Sequence, residues 1–448
     1  MSSPLQLAVV GHTNTGKTSL LRTLLRDSTF GEVRHAPATT RHVEAAEIVD
    51  GGQTLVTLYD TPGLEDAGGV LDWLEEHTSA RADGVERLQS FLASPEAAGE
   101  FAQEAKVLRQ LLRSDMALYV ADAREPVLPK YKDELTVLSW CAKPVMPVFN
   151  FVHGRDVQAW SEMLARRGLH VWSGFDTVAF DFEGEIRLWH NLATMLPERT
   201  VLDRLTDLRR REWAALDREA REEIAHFLLD VAAYAVETDA EDDPEPHWRG
   251  MQQEVRAAEA AFQQRLFRLY RFYQDDCRPD SDWVLQPFRQ DPFDSELLKE
   301  YGIRTTKGAA AGALIGLGVD VLTLGTSFGL GTTIGGLIGG VLPNVQTLSD
   351  TFSGRQRLHI APETLTLLAA RALALLSVLQ TRGHAAQTAV GSLPPRRVPW
   401  PAERLPDGLG KARRRPQWSA LNGYGEEAAR QTRSEAAAEL AGKLALSA

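Results

Sequence analysis

Cysteine is nearly absent: Cys141 and Cys277 are the only two in 448 residues. Two cysteines so far apart exclude a disulfide framework and a thiolate zinc site, and they suit a reducing compartment. Each reads as a small buried apolar residue. Positive charge is also short. Lys and Arg total 49 against 61 Asp and Glu, giving a net charge of −12. That excludes a surface given over as a whole to nucleic acid and leaves room only for local basic patches. No basic segment precedes the apolar run that begins at Leu5, so no signal peptide is read there and a cytoplasmic location is expected. What is present, 44% hydrophobic and 25% charged residues, is the composition of a globular protein of two or three domains.

The first half alternates short apolar runs with amphipathic stretches. Strands are predicted at Leu5–Val10, His42–Val49, Thr54–Tyr59, Met116–Ala121 and Pro144–Phe149, with a weaker one at Asp176–Phe182. Helices are predicted at Thr18–Arg26, Phe101–Leu112, Tyr131–Trp140 and Val157–Arg167. Such alternation predicts an α/β three-layer sandwich, a mostly parallel sheet with helices on both faces. Residues 65–114 read as a helical insertion beside that sheet.

One stretch interrupts this pattern with chemistry. Gly11-His12-Thr13-Asn14-Thr15-Gly16-Lys17-Thr18 fits G-x-x-x-x-G-K-[ST] between an apolar strand and a leucine-rich helix. Glycines let the backbone curl so that its N–H groups point at phosphate oxygens, and the following helix adds its positive end. Lys17 supplies a point charge to the β- and γ-phosphates, and the Thr18 hydroxyl is placed for Mg²⁺. A second motif, Asp60-Thr61-Pro62-Gly63, ends another apolar strand. Its carboxylate can hold the same Mg²⁺, and the Gly63 amide can touch a γ-phosphate.

With "GHTNTGKTS", "PATTRHVE" and "DTPGLED" the chain resembles the Era-like (TrmE/Era-type) P-loop GTPases, over roughly its first 180 residues, followed by a C-terminal helical domain of unknown function. The resemblance implies a P-loop GTPase domain over 1–199 and a helical domain over 200–448. It implies Mg-dependent binding and hydrolysis of GTP, serving as a nucleotide-state switch for the helical part. It assigns Gly11 through Lys17, Thr18 and Ser19 to the phosphates, Lys17, Thr40 and Gly63 to catalysis, and Thr18, Thr40 and Asp60 to Mg²⁺, with Thr39 the alternative to Thr40. Asn14 occupies the position at which several relatives hold K⁺. Leu64 stands where many GTPases carry a glutamine that orients the attacking water, so slow, cation- or partner-stimulated turnover is expected. Arg41 reads as a solvated switch residue or a finger.

The guanine motif N-K-x-D departs from the family. Asn150 is in place, but Phe151 and His153 stand where Lys and Asp are expected. Asp156, three residues beyond, reads equally as a base reader or a helix cap. Phe151 can stack on a base. GTP is implied by the resemblance; an ATPase, a membrane-associated NTPase acting through the Gly-rich residues 308–343 and a non-catalytic nucleotide-gated scaffold stay open.

The second half predicts an antiparallel helical hairpin across Leu205–Val231 and Met251–Tyr273, joined by an acidic solvated connection, "TDAEDDPEPHW". A third helix is predicted from Pro362 to Leu379 and a last one over Glu426–Leu444. The Pro- and Gly-rich stretch between them reads as irregular, and its arginine cluster as a solvated loop. Residues 308–343 are apolar with small-xxx-small glycines. They read as a hairpin that contacts a membrane, with peripheral attachment to the inner membrane, or as one buried against the helical domain or a second copy in a homodimer. A protein effector is the other expected partner, and nucleic acid is not expected.

Overall fold

The computed structural model describes residues 3–27, 43–239, 241–272, 290–303, 317–322, 355–384, 398–423 and 430–446. The chain forms two compact units. One comprises Met1–Ala214, Arg271–Asp276 and Gln380–Gln387, and the other Ala215–Tyr270, Cys277–Leu379 and Thr388–Ala448.

The first unit is built on a six-stranded sheet. In chain order its elements are β1 (Leu5–Val10), α1 (Lys17–Leu25), β2 (Glu44–Asp50), β3 (Gln53–Asp60), α2 (Ala67–His77), α3 (Gly84–Leu92), α4 (Ala102–Arg113) and β4 (Met116–Asp122). There follow α5 (Pro129–Ser139), β5 (Val145–Asn150), α6 (Gln158–Ala165), β6 (Ser173–Gly174) and α7 (Phe182–Thr194). The strands lie in the order β2-β3-β1-β4-β5-β6. All neighbours are parallel except β2 and β3.

Successive strand residues face opposite sides of a sheet. Leu7 and Val9 therefore join Leu118, Val120, Met146 and Val148 in a core with residues of α1 and α7. Ala8 and Val10 join Tyr119, Ala121 and Phe149 in a second core with α2, α4 and α5. Burial on both faces is why these strands read as unbroken apolar runs. The chain leaves β1 towards β3 on one side and β4 on the other. Open α/β sheets bind ligands at such a switch point, beyond the carboxyl ends of the strands.

The weak strand expected at Asp176–Phe182 is not formed. Asp176 Oδ1 accepts from the amides of Val178 and Ala179, both at 2.9 Å. This turn takes those amides away from any ladder. Asp181 then caps α7 through the Glu183 amide, and Phe182 is helical.

The remaining elements are α8 (Thr200–Ala233), β7 (Ala235–Asp239), α9 (Glu245–Leu269), α10 (Ser295–Glu300), β8 (Leu317–Leu322), β9 (Arg355–Ile360), α11 (Pro362–Thr381), α12 (Asp407–Ala412) and α13 (Arg430–Leu446). Within the second unit α9 and the part of α8 from Ala215 onward run antiparallel. Phe227 stacks on Phe262 at 4.7 Å, and Arg265 pairs with Glu223 at 2.8 Å. The acidic connection between them is solvated only in part, because its beginning pairs as β7 with β9. Strand β8 completes an antiparallel sheet in the order β7-β9-β8. The apolar hairpin expected at 308–343 lies outside the described residues except for 317–322, which are a strand. Val319 and Val321 are β-branched, and that branching favours extended backbone. Within the Pro- and Gly-rich stretch, α12 is a short helix whose Asp407 and Lys411 complement its dipole.

Helix α11 is long and apolar enough to cross a membrane, yet 78% of its most apolar window is buried in the protein. At its middle Arg371, 2% exposed, donates to Glu259 of α9 through Nε (2.8 Å) and Nη2 (3.3 Å). Burial pushes the Glu259 carboxyl up, and the Arg371 charge opposes that shift. Removing one partner of a buried pair strands the other charge in the core. Glu259→Ala is expected to lose about 3–5 kcal/mol of stability in urea unfolding. Glu259→Met combined with Arg371→Leu should recover most of it, and a loss below about 1 kcal/mol in the single variant would mean the pair is solvated.

Candidate functional site

The loop after β1 turns the chain straight into α1. Gly16 has φ +92°, and a Cβ there would sit 2.2 Å from Asn150 Nδ2, so no other residue fits. Asn14 is also left-handed, with φ 65°, which asparagine tolerates better than most side chains. Gly16 is the N-cap of α1 and offers no side-chain acceptor. The first amides of α1 therefore keep their donor capacity for an anion. Thr15 Oγ1 braces the loop by donating to His12 O at 3.0 Å. Ser19 lies in the first turn of α1, its carbonyl accepting from Thr23.

Lys17 folds back over the loop and donates from Nζ to Gly11 O (3.1 Å) and His12 O (2.7 Å). Burial lowers its pKa to about 8, against the pull of Asp60, Glu134 and Glu65. The parallel register sets Val9 beside Asp60, which brings the end of β3 to the start of α1. Thr18 Oγ1 donates to Asp60 Oδ2 at 2.5 Å. Asp60 Oδ1 is buried and has no hydrogen-bond partner among the described residues. Burial raises the Asp60 pKa to about 6, while the Thr18 bond and the Lys17 charge hold it down. A hydroxyl beside a carboxylate with one orphaned, buried oxygen is a donor set that fits a hard divalent cation such as Mg²⁺.

The segment after Asp60 is pressed onto the loop. Thr61 Oγ1 donates to Val9 O at 2.7 Å. A Cβ on Gly63 would lie 2.0 Å from Thr13 Oγ1 and 2.8 Å from Thr13 N, so close approach demands glycine there. His12 Nδ1 lies 2.8 Å from both Leu64 O and Glu134 Oε1. A carbonyl and a carboxylate facing one ring nitrogen require the proton on it. Glu134 also accepts from the Tyr119 hydroxyl at 2.7 Å.

On the far side of the loop Asn150 acts as a pin. Its Nδ2 donates to Thr15 O at 3.1 Å. Its Oδ1 accepts from Phe151 N (2.9 Å), Thr177 N (3.1 Å) and Thr177 Oγ1 (3.0 Å). Phe151 is left-handed, φ 55°, and its ring lies under the Arg124 guanidinium at 3.8 Å. Asp122 holds Arg124 through both carboxylate oxygens. Asp156, just ahead of the Val157 N-cap of α6, accepts from Gln158 N at 2.8 Å. The exposed His153 donates its main-chain N–H to Asp176 at 3.3 Å.

Lys17, Thr18, Asp60, Gly63 and Asn150 thus converge on one loop. Thr39, Thr40 and Arg41 lie outside the described residues. Sequence reasoning missed Asp122, Arg124, Glu134 and Thr177. For Asp122 a signal existed: like Asp60, it is a carboxylate at the end of an apolar strand. Glu134 and Thr177 reach the site only through tertiary packing.

A family described as 50S ribosome-binding GTPase matches residues 6–151, and a domain of unknown function, DUF3482, matches residues 161–442. Among solved structures, Era in complex with MgGDPNP and a stretch of 16S ribosomal RNA is 17% identical, covering 44% of this chain and 58% of that one, with a TM-score of 0.32. An Aquifex aeolicus Era variant bound to GDP and aluminium fluoride is 20% identical, covering 43% and 57%, with a TM-score of 0.31. The G domain of the T. maritima FeoB iron transporter is 20% identical, covering 38% and 88%, with a TM-score of 0.22. The chain spans a little over half the length of the two Era chains. No curated protein matches this sequence.

A cation held by the buried Asp60 would bind in a pH-dependent way. Its pKa in the folded chain, about 6, lies above the unfolded value. The carboxyl therefore contributes stability at low pH that is lost as pH rises through 6. Cation binding has the opposite sign, because it needs the carboxylate. Mg²⁺ affinity is expected to weaken as pH falls towards and below 6. Mg²⁺ titrations at pH 7 and pH 5 check this, and a flat profile would place the cation elsewhere.

Proposed function

Because the chain belongs to the family of the DUF3482 domain of unknown function and carries a P-loop GTPase domain ahead of it, we propose that it binds GTP with Mg²⁺, hydrolyses it slowly, and passes the state of the nucleotide to its second unit. The observation that most supports this reading is the buried Asp60 Oδ1, without a hydrogen-bond partner among the described residues, beside Thr18 and Lys17. A buried carboxylate with an unpaired oxygen is costly unless something occupies it.

Thr18 and Asp60 would hold Mg²⁺, which when bound neutralises charge on the β- and γ-phosphates. Lys17 exchanges two carbonyl partners for phosphate oxygens, so its charge becomes better paired on binding than before. The first amides of α1 and the Gly63 amide complete the cup. Catalysis is then positioning and charge stabilisation, with water attacking the γ-phosphate in line with the departing β-phosphate oxygen.

Leu64 sets the pace. Its side chain is fully buried within the core that α2 and α4 share, so it cannot orient a water. Some other charge must stabilise the transition state. We place K⁺ at Asn14, where it would supply the positive charge that an arginine finger supplies in other GTPases. Asn14 is exposed, as a cation arriving from solvent requires.

Base selection is a second reading that the geometry favours. The carboxylate that accepts two hydrogen bonds from guanine in N-K-x-D is replaced by His153, and Asp156 is engaged at the start of α6. Phe151 and Arg124 instead form a flat cationic stack beside Gly16. A platform of this kind binds a base by its face and discriminates weakly among purines.

Three outcomes are expected in fluorescent-nucleotide titrations and phosphate-release assays. Lys17→Ala should weaken nucleotide binding about a hundredfold, the loss of a charge-assisted anion contact in a buried site; unchanged affinity would contradict the site. Hydrolysis should run faster in KCl than in NaCl, with the difference removed by Asn14→Ala; equal rates in both salts would remove the K⁺ proposal. ITP, which lacks the guanine 2-amino group, should compete with GTP within about threefold. Strong rejection of ITP would mean that a carboxylate still reads the base.

A further inference from the structure

This inference rests on the nucleotide reading above and concerns the segment that carries Gly63. That segment is gripped from two sides. On one side is the loop after β1. Gly11 O accepts from Leu64 N at 3.1 Å, and Thr13 Oγ1 donates to Glu65 Oε1 at 2.7 Å. On the other side stands Glu104, in the first turn of α4. Its Oε1 alone accepts from the amides of both Glu65 (3.2 Å) and Asp66 (3.1 Å).

Glu104 is 4% exposed. A carboxylate this deep is costly unless hydrogen-bonded, and bonds to an ionised acceptor are the strong kind. Two main-chain amides answer that need, and in doing so they are fixed themselves. Asp66 in turn caps α2 by accepting from Gly69 N at 2.8 Å. The grip of Glu104 therefore sets both the end of the Gly63 segment and the start of the next helix. It does so from α4, some forty residues further along the chain.

We propose that Glu104 is a positioning residue of this site. Through the amides of Glu65 and Asp66 it holds the Gly63 segment against the phosphate cup, and this sets how well the protein distinguishes a nucleoside triphosphate from a diphosphate. The Gly63 amide serves the γ-phosphate, the group by which the two nucleotides differ. A segment held in place beforehand spends little of the γ-phosphate interaction on ordering itself. Without Glu104 the segment keeps only its bonds to β1 and the loop after it, so part of the γ-phosphate interaction goes into ordering its far end, whereas a diphosphate makes no such demand.

The test uses the full chain with Mg²⁺ and measures affinities for a fluorescent GTPγS and a fluorescent GDP in the wild type, Glu104→Ala and Glu104→Gln. Glu104→Ala is expected to weaken GTPγS about tenfold while GDP stays within about twofold. Glu104→Gln keeps an oxygen that accepts both amides, and its ratio should stay within about threefold of wild type. A merely structural role would shift melting temperature and both affinities together without moving the ratio. Should Glu104→Ala fail to fold, Glu104→Asp, one methylene too short to reach both amides, is expected to lower the same ratio. An unchanged ratio in the folded variant, or a drop in both nucleotides that Gln does not rescue, overturns the proposal. A wild-type chain that binds neither nucleotide overturns the reading beneath it, and the two failures are thereby distinguished.

Discussion

The parallel pairing of β1 with β3, which sets Val9 beside Asp60, is the constraint on which the phosphate site depends. Side chains alternate along a strand, so a slip of one residue would turn Asp60 to the opposite face and exchange the two cores. The register is held because both faces are buried: Leu7 and Val9 on one side, Ala8 and Val10 on the other. Hydrophobic packing thus fixes the position of a carboxylate that the packing itself disfavours.

That tension runs through the site. Lys17 and Asp60 are both buried, and burial moves each towards its neutral form. Their mutual attraction and the Thr18 bond offset only part of the cost. A magnesium-bound triphosphate would bring the charges needed to settle both groups, which is why the arrangement reads as a receptor and not as a packing motif. Around it, Asn150 holds the loop from β5, and Glu104 holds the Gly63 segment from α4. The functional loops are kept in position by residues on regular elements, as preorganised sites require.

The loop after β1 was legible in the sequence as a tight turn between a strand and a helix, because its spacing fixes particular residues at particular offsets. Gly16 adopts positive φ, Lys17 folds back over the loop, and Thr18 faces the end of β3. The buried strands were legible to within a residue or two, since burial on both faces writes continuous apolar runs. Asp176–Phe182 misled because its apolar residues imitate a strand while the Asp176 side chain bonds its own neighbours. Strand β7 was hidden by the acidic stretch that continues from it, and β8 by its glycine-rich surroundings. Glu104 and Thr177 left no trace in the sequence, since their roles arise only when distant segments meet. The segment after β5 was half legible: the departure from N-K-x-D was plain, but the stacking of Arg124 on Phe151 was not.

A magnesium-bound nucleoside triphosphate seated between Lys17 and Asp60 would show itself in calorimetric titration of GTP into the full chain, first with Mg²⁺ and then with a chelator. A single site per chain is expected, its affinity falling at least about tenfold when Mg²⁺ is withdrawn. Binding that is absent, or equally tight without the cation, would contradict it.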